Sequence, residues 1–465
     1  MSQVHCQRFD IDPEIVHVAR HLRRRGGRAL LVGGVVRDLL RGLPAKDFDL
    51  EVYGLPLERL EAALSELGEV IAVGRAFGVL KVKGLDADFS IPRRDSKTGR
   101  GHRGFVVDLD PELDFTDAAR RRDLTVNSIA YDPLTGEILD PFDGRGDLER
   151  EVLRATDART FPEDSLRALR VAQFRARLEM EPDAELVALC RGLDLSDLPG
   201  ERLYEEIKKL LLKARRPSLG FEFLEKTALL RFFPELEAMV GVAQDPIWHP
   251  EGTVWEHTLM VVDEAAALRQ GQEAEDLALM FGALCHDIGK PATTFEKDGR
   301  IVSPGHDEAG VEPTRSLLGR LRASHKLTDQ VVALVRFHLA PTLLPKGGAT
   351  ARGYRRLARR LAEAEVSPRL LYRLARSDHF GRTTPDALAR QFPGGDEFLR
   401  SMEEVVQPEV GIHDVVLGRH LIARGLRPGP DFGRLLDACR EIQDETGWTD
   451  PDRILDQVLA GSAER

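Results

Sequence analysis

The chain has 465 residues, 42% hydrophobic and 31% charged, with a formal net charge of −11 at pH 7. That length suits about two to four domains with sizeable cores, and the composition is that of an ordinary globular protein. No run of about 18 apolar residues occurs, which excludes a membrane-spanning helix; the opening MSQVHCQRFDIDPE lacks the apolar core of a signal peptide; and Cys6, Cys190, Cys285 and Cys439 are scattered without a CxxC, which fits a reducing cytoplasm and argues against a cysteine zinc site.

Residues 1–28 read as a helical lead-in. Ala29–Val32 predicts a strand and Val35–Arg41 a short helix closed by Gly42; a second strand then carries Asp47 and Asp49 and continues through Phe48–Tyr53. Gly33-Gly34 joins the first strand to the helix, and a glycine turn lets backbone approach a phosphate. Strand side chains alternate, so Asp47 and Asp49 are expected to share one face while Phe48 and Leu50 enter a core. Two aligned carboxylates can hold magnesium. Pro56–Leu67 predicts a helix, followed by strands near Val70–Val73, Val79–Val82 and Ala87–Ile91. Asp88 and Glu51 are further acidic candidates on these strands. Strands with few helices suggest a small α/β head, and the polar, glycine-rich residues 93–115 suggest a mobile loop.

Arg121-Arg122-Asp123 is followed by Asn127. An enzyme that takes ribonucleotides needs a group bonding the ribose 2′-hydroxyl and arginines to neutralise triphosphate. In Phe161–Phe174, Pro162 suits a helix start with Glu163 and Asp164 at its positive end. Asp164, Arg167 and Arg170 then recur at i, i+3 on one surface. A carboxylate beside a guanidinium can imitate the Watson–Crick edge of a base; an ordinary surface ion pair is the plainer reading.

From about Leu148 onward the chain is predicted to be helical, punctuated by Pro162, Pro217 and Pro234. Breakers cluster over Ala375–Pro393, and residues 400–465 read as a helical tail. Basic clusters occur at Arg23–Arg25, at Lys208–Arg216 and at Arg355–Arg360, and at least one of them is expected to be only a solvated helix face. Thr253-x-x-Glu256 is a capping box opening a helix that carries His257. An apolar helix, Leu277–Cys285, ends in His286-Asp287, and His306, His338 and Asp378 follow. Neutral imidazoles with carboxylates suit a divalent metal that activates water.

Gly33-Gly34-x-x-Arg37-Asp38 followed by Asp47-x-Asp49 resembles the signature of the polymerase-β-like tRNA nucleotidyltransferases (CCA-adding enzymes) and bacterial poly(A) polymerases. Arg121-Arg122-Asp123-Leu-Thr-Val-Asn127-Ser, Glu163-Asp164-x-x-Arg167 and Glu201-Arg202-Leu-x-x-Glu206 resemble the later motifs of that family. His257, His286-Asp287 and Asp378 resemble the HD superfamily of metal-dependent phosphohydrolases. The resemblance implies an α+β chain: a polymerase-β-like head over 1–148, a helical neck over 149–220, an HD domain over 221–385 and a helical tail over 386–465.

The resemblance also implies roles. Asp47 and Asp49 would be catalytic and hold Mg²⁺; Gly33, Gly34 and Arg37 would cradle the triphosphate. Arg122, Asp123 and Asn127 would serve ribose and phosphate, and Asp164, Arg167 and Arg170 would serve the nucleotide, the first two as a protein template for its base. His257, His286, Asp287 and Asp378 would hold a divalent transition metal such as Ni²⁺, Mn²⁺ or Co²⁺, with His306 and His338 as further ligands or phosphate contacts. The implied activity is repair of the 3′-terminal CCA of tRNA from CTP and ATP, with an added 2′,3′-cyclic phosphodiesterase or phosphatase. Expected partners are tRNA and the two nucleotides, with no membrane, for a cytoplasmic monomer or homodimer. A poly(A) polymerase, a partial CC- or A-adding enzyme, and an HD phosphohydrolase with an RNA-binding head are the rivals. The charge of −11 counts somewhat against RNA binding.

Overall fold

A computed structural model describes residues 5–74, 78–97, 105–405 and 414–463. Two compact units emerge: Met1–Glu206 with Glu222–Phe232, and Ile207–Phe221 with Phe233–Arg465. This partition is coarser than the four-part division expected from sequence.

The first unit opens with β1 (His5–Cys6), α1 (Pro13–Arg24), β2 (Arg28–Val32), α2 (Gly34–Leu40), β3 (Phe48–Tyr53), α3 (Leu57–Ser65), β4 (Val70–Gly74), β5 (Val79–Val82) and β6 (Ala87–Ser90). The helical lead-in is thus only α1, capped by the Asp12 carboxylate at the Glu14 N–H. Next come β7 (Arg93–Lys97), β8 (Phe105–Leu109), α4 (Phe115–Arg120), β9 (Ala130–Tyr131), β10 (Glu137–Leu139) and α5 (Gly144–Glu149). Eight strands form one sheet in the order β1-β10-β9-β2-β3-β6-β5-β4. Only β3 and β6 pair in parallel, which sets Asp49 beside Asp88. Alternation on β3 buries Phe48, Leu50 and Val52 against α1, α2 and α3.

The segment 93–115, expected as a mobile loop, is instead an antiparallel hairpin of β7 and β8 leading into α4, with residues 98–104 outside the described residues. Its charged strand, Arg93–Lys97, hides the period-two pattern that would mark it. Beyond Leu148 the chain is mostly helical, as expected, but β11 (Val152–Leu153) and β12 (Glu181–Pro182) form a small parallel pair. The unit continues with α6 (Arg167–Leu178), α7 (Ala184–Arg191), α8 (Gly200–Lys213), which runs into the second unit, and α9 (Ser218–Lys226).

The second unit is helical: α10 (Pro234–Glu237), α11 (Val254–Ala267), α12 (Glu273–Cys285), α13 (Lys290–Thr293), a hairpin of β13 (Phe295–Lys297) and β14 (Arg300–Val302), then α14 (His306–Ala309), α15 (Val311–Arg320) and α16 (His325–Phe337). It ends with α17 (Ala340–Lys346), α18 (Ala351–Glu363), α19 (Pro368–Phe380), α20 (Pro385–Leu388), α21 (Pro393–Val405), α22 (Gly418–Ala423), α23 (Asp431–Thr446) and α24 (Pro451–Ala463). Helix α12 packs against α11, α16 and α19 and is buried on every side from Asp276 to Cys285, so its C-terminus is held at the centre of the unit. No helix is long and apolar enough to cross a membrane among the described residues.

Candidate active sites

In the first unit the motifs meet on the sheet face that carries Asp49, Glu51 and Tyr53. Gly33 caps α2 with φ +76°, a conformation that favours glycine, and a Cβ there would lie 3.2 Å from Arg122 Nη1. Asp47 is not on the strand. It precedes β3 with φ +52°, a left-handed conformation that Asp tolerates better than most residues. The strand alternation therefore starts one residue later than expected, and Asp49 is exposed while its partner strand presents Asp88.

Asp88 is paired to Lys81 at 2.7 Å. Although Asp49 as a residue is exposed, desolvation by the groups crowding its carboxyl raises its pKa; Arg122 opposes this, and the negative charges of Asp88 and Asp47 reinforce it. Such carboxylate repulsion is what a hard divalent cation relieves, and an all-oxygen set suits magnesium. Among the described residues, every set of three potential ligand atoms within 4.8 Å of one another lies in the second unit, so the head carboxylates make no closed cage.

Glu51 is wholly buried on this face. Its carboxylate lies 3.1 Å from Arg121 Nη2 and 3.8 Å from Arg122 Nη2 and accepts the Tyr53 hydroxyl at 2.7 Å. Burying one carboxylate against two guanidiniums fixes both arginines, and Arg122 thereby beside the Gly33 turn.

Below that face runs a chain of buried charges. Arg37, expected to reach a triphosphate, is 1% exposed. Its guanidinium donates to Asp38 Oδ1 at 2.9 Å and Asn127 Oδ1 at 2.6 Å and stacks on Phe174. Its side chain braces the turn from inside, because the core of α2 and α6 closes over it. Asn127 donates onward to Asp123 Oδ1 at 3.0 Å, and Arg170 Nε meets Asp123 Oδ2 at 2.7 Å. Burial works against the Asp123 charge, but Arg170, Asn127 and the Leu124 N–H outweigh it and hold the carboxyl below its usual range. The network thus ties the Gly33 turn, the Arg122-Asp123 segment and α6 into one rigid unit.

Asp164 does not sit on a helix with Arg167. Pro162 opens a single 3₁₀ turn, Phe161–Glu163; Asp164 follows it in an extended conformation, and α6 begins at Arg167. The Asp164 side chain accepts from the Leu166 N–H at 3.1 Å and from Arg202 Nη2 at 3.1 Å. Arg167 donates to the carbonyls of Thr160 at 2.7 Å and Arg121 at 2.6 Å and stacks on Phe161. Each is oriented by its own partners, and both stay partly exposed.

In the second unit the ends of five helices converge. His257 on α11, His286 and Asp287 after α12, His306 opening α14, His338 after α16 and Asp378 on α19 are all buried. His257 Nε2 is 3.1 Å from Asp378 Oδ1; His286 Nε2 is 3.2 Å from Asp287 Oδ2; His306 Nε2 is 3.3 Å from both Asp287 Oδ1 and His338 Nε2. Their ligand atoms fall into two clusters, His257/His286/Asp378 and Asp287/His306/His338.

The outer ring nitrogens explain the orientation. Nδ1 of His286, His306 and His338 each faces the backbone carbonyl three residues earlier, at 2.9, 2.8 and 2.6 Å. That arrangement leaves the Nε2 lone pairs aimed inward, as metal-binding imidazoles require. His286 Nε2 is buried facing Asp287 Oδ2, and burial together with neighbouring His286 and His306 pushes His338 down to about 4, so it stays neutral. The donor set therefore fits divalent metal.

Four residues of this centre had no visible signal when read alone. Glu251 Oε1 lies 2.8 Å from His257 Nδ1 and 2.9 Å from His249 Nδ1, completing a carboxylate–histidine pair behind the ligand. Lys290 Nζ is 2.7 Å from Asp287 Oδ2, and Arg382 Nη2 is 2.9 Å from Asp378 Oδ1. The spacing His249-x-Glu251, just ahead of the capping box, was the one available hint. By contrast, the basic cluster on α18 is largely structural: Arg359 pairs with Asp444, and Arg355 donates to the Asp444 carbonyl at 2.8 Å.

Three family descriptions match the chain: poly A polymerase head domain over residues 29–154, HD domain over 254–377, and probable RNA and SrmB-binding site of polymerase A over 186–240. A multifunctional CCA protein of Xanthomonas campestris pv. campestris (strain B100) is 35% identical over 431 residues, covering 88% of this chain and 96% of that protein. In fold, the chain is similar to the Bacillus stearothermophilus CCA-adding enzyme in complex with CTP (TM-score 0.68, 22% identity, 98% of this chain and 99% of that one). It is also similar to the Thermotoga maritima CCA-adding enzyme complexed with tRNA (TM-score 0.56, 19% identity, 97% of this chain and 96% of that one).

Proposed function

The chain belongs to the family of multifunctional CCA proteins, CCA tRNA nucleotidyltransferases that here carry an HD domain, and on that premise we propose that its head completes the 3′-terminal CCA of tRNA from CTP and ATP. The tRNA 3′-oxygen bonds to the α-phosphorus as the bond from that phosphorus to pyrophosphate breaks. The observation that carries this reading is the meeting of the Gly33 turn, the Arg122 guanidinium and the Asp49 carboxylate on one sheet face.

Asp47 and Asp49 would hold magnesium, which when bound supplies Lewis acidity to the attacking and leaving oxygens. Arg122, held by Glu51, neutralises triphosphate beside Gly33 and Gly34. Asp123 and Asn127 support the ribose side, and Arg37 and Arg170 brace that segment from below. Asp164 and Arg167 offer an acceptor and donors to the base edge; α6 and the 3₁₀ turn hold them at fixed distance. Chain assignments follow the sequence division: head 1–148, neck 149–220, HD domain 221–385 and tail 386–465. The substrate chemistry and the buried free thiols Cys190, Cys285 and Cys439 support a cytoplasmic location.

The HD centre is the basis for a second activity, hydrolysis of 2′,3′-cyclic or terminal phosphates. The two inward-facing donor clusters, His257/His286/Asp378 and Asp287/His306/His338, would hold divalent metal ions. When bound, they activate water toward phosphorus. Lys290 and Arg382 hold the carboxylates Asp287 and Asp378 ionised against their burial.

Base selection is the test of the template reading. Asp164→Ala and Arg167→Ala are each expected to cut the preference for CTP over UTP by about ten- to a hundredfold, the loss of one or two oriented hydrogen bonds. Single-turnover addition of each of the four nucleotides to tRNA ending at its discriminator base measures it. Unchanged selectivity would remove both residues from that role.

A further inference from the structure

The loop Asp245–Glu251 carries two unlike features. Its end belongs to the HD centre: Glu251 backs His257 at 2.8 Å, and the His249 ring packs edge-on to His257 with centroids 4.7 Å apart. Its middle is apolar and turned to water: Ile247 is 68% and Trp248 53% exposed. The loop is nevertheless braced. The Asp245 carboxylate accepts the Ile247 N–H at 2.9 Å and is clamped by Arg300 Nη2 at 2.6 Å, while its carbonyl accepts the N–H groups of Trp248 and His249 at 3.1 and 2.9 Å. Trp248 is one Cα step, about 3.8 Å, from His249. An exposed tryptophan on a braced backbone therefore stands next in sequence to His249, which packs on the buried HD cluster, where Lys290 and Arg382 supply positive charge.

Single exposed apolar residues are common and need no explanation. A braced tryptophan beside a phosphate site is different, because an exposed indole stacks on any nucleobase while the phosphate is held elsewhere. We propose that Trp248 is a specificity-determining residue of the HD centre: it stacks on the base of a nucleoside phosphate whose phosphorus lies at the His257/His286/Asp378 and Asp287/His306/His338 clusters. The inference rests on the phosphohydrolase reading of that centre.

Two measurements on the full-length, metal-replete protein test it. The first compares adenosine 2′,3′-cyclic phosphate with glycerol 1,2-cyclic phosphate, the same five-membered diester without a base. Trp248→Ala is expected to raise KM about tenfold for the first, the typical scale of one base–aromatic stack, to leave the second unchanged, and to leave kcat little altered on both. Trp248→Phe should restore most of the loss. Equal effects on the two esters, or none, overturn the proposal.

The second reads binding without turnover. The chain has only three tryptophans, Trp248, Trp255 and Trp448, and Trp255 is buried. Adenosine 3′-phosphate should quench tryptophan emission in the wild type and not in Trp248→Phe, while inorganic phosphate quenches neither. A quench that persists in Trp248→Phe overturns the proposal. If the wild type hydrolyses neither ester, the phosphohydrolase reading fails, and the quench still decides whether Trp248 meets the base.

Discussion

Replacing Asp47 and Asp49 together by alanine is expected to lower nucleotide addition to tRNA by at least about a thousandfold, the scale on which electrostatic stabilisation of a phosphoryl transition state operates. Hydrolysis of 2′,3′-cyclic phosphates by the same protein should stay within about twofold of wild type, because sites that share no partner respond independently. Both side chains are exposed, and alanine in the left-handed conformation at position 47 costs only about 1 kcal/mol relative to Asp, too little to unfold the head. Removing Asp49 also removes a carboxyl whose charge is disfavoured by desolvation and, further, by Asp88 and Asp47. The double variant should therefore fold with an unchanged circular dichroism spectrum. Both activities falling together would mean that the chemistry is misassigned or that the fold has been damaged, and the spectrum separates those outcomes.

The complementary change gives the second large effect. His286→Ala, and separately Asp287→Ala, should remove bound transition metal and lower phosphodiester hydrolysis by at least about a thousandfold, with CCA addition retained. Glu251→Gln should cost only about ten- to a hundredfold, since Glu251 meets His257 at the outer nitrogen Nδ1 and orients the ring. Metal content by elemental analysis accompanies the assay. Metal retained at wild-type stoichiometry in His286→Ala would show that the ion sits elsewhere.

Much of this site is legible in the sequence itself. The Phe48–Tyr53 strand announces itself by alternation, and the burial of Phe48, Leu50 and Val52 follows it. Periodicity does not stop where a backbone turns, so it carried the strand one residue too far, through Asp47. The Pro162 start was equally clear, but a 3₁₀ turn and an α-helix share the same N-terminal chemistry, and Asp164 fell between them. Glu163-Asp164-x-x-Arg167 showed which residues mattered without showing that Arg202 and two carbonyls hold them.

Arg37 illustrates the other limit. A motif arginine beside a glycine turn reads as a phosphate ligand until the core of α6, with Phe174 and Asn127, closes around it. The buried Glu51 clamp and the Glu251, Lys290 and Arg382 contacts depend on residues far apart in sequence. Their partners exist only once strands and helices have packed, which no local pattern encodes.

The most direct test of the central claim uses three tRNA transcripts, ending at the discriminator base, in C and in CC, each incubated with CTP and ATP separately and together. Products are resolved to single nucleotides on a denaturing gel. The account predicts that C is added to the first two and A only to the third, with synthesis stopping at CCA. Long A tracts, or A added without preceding C, would contradict it.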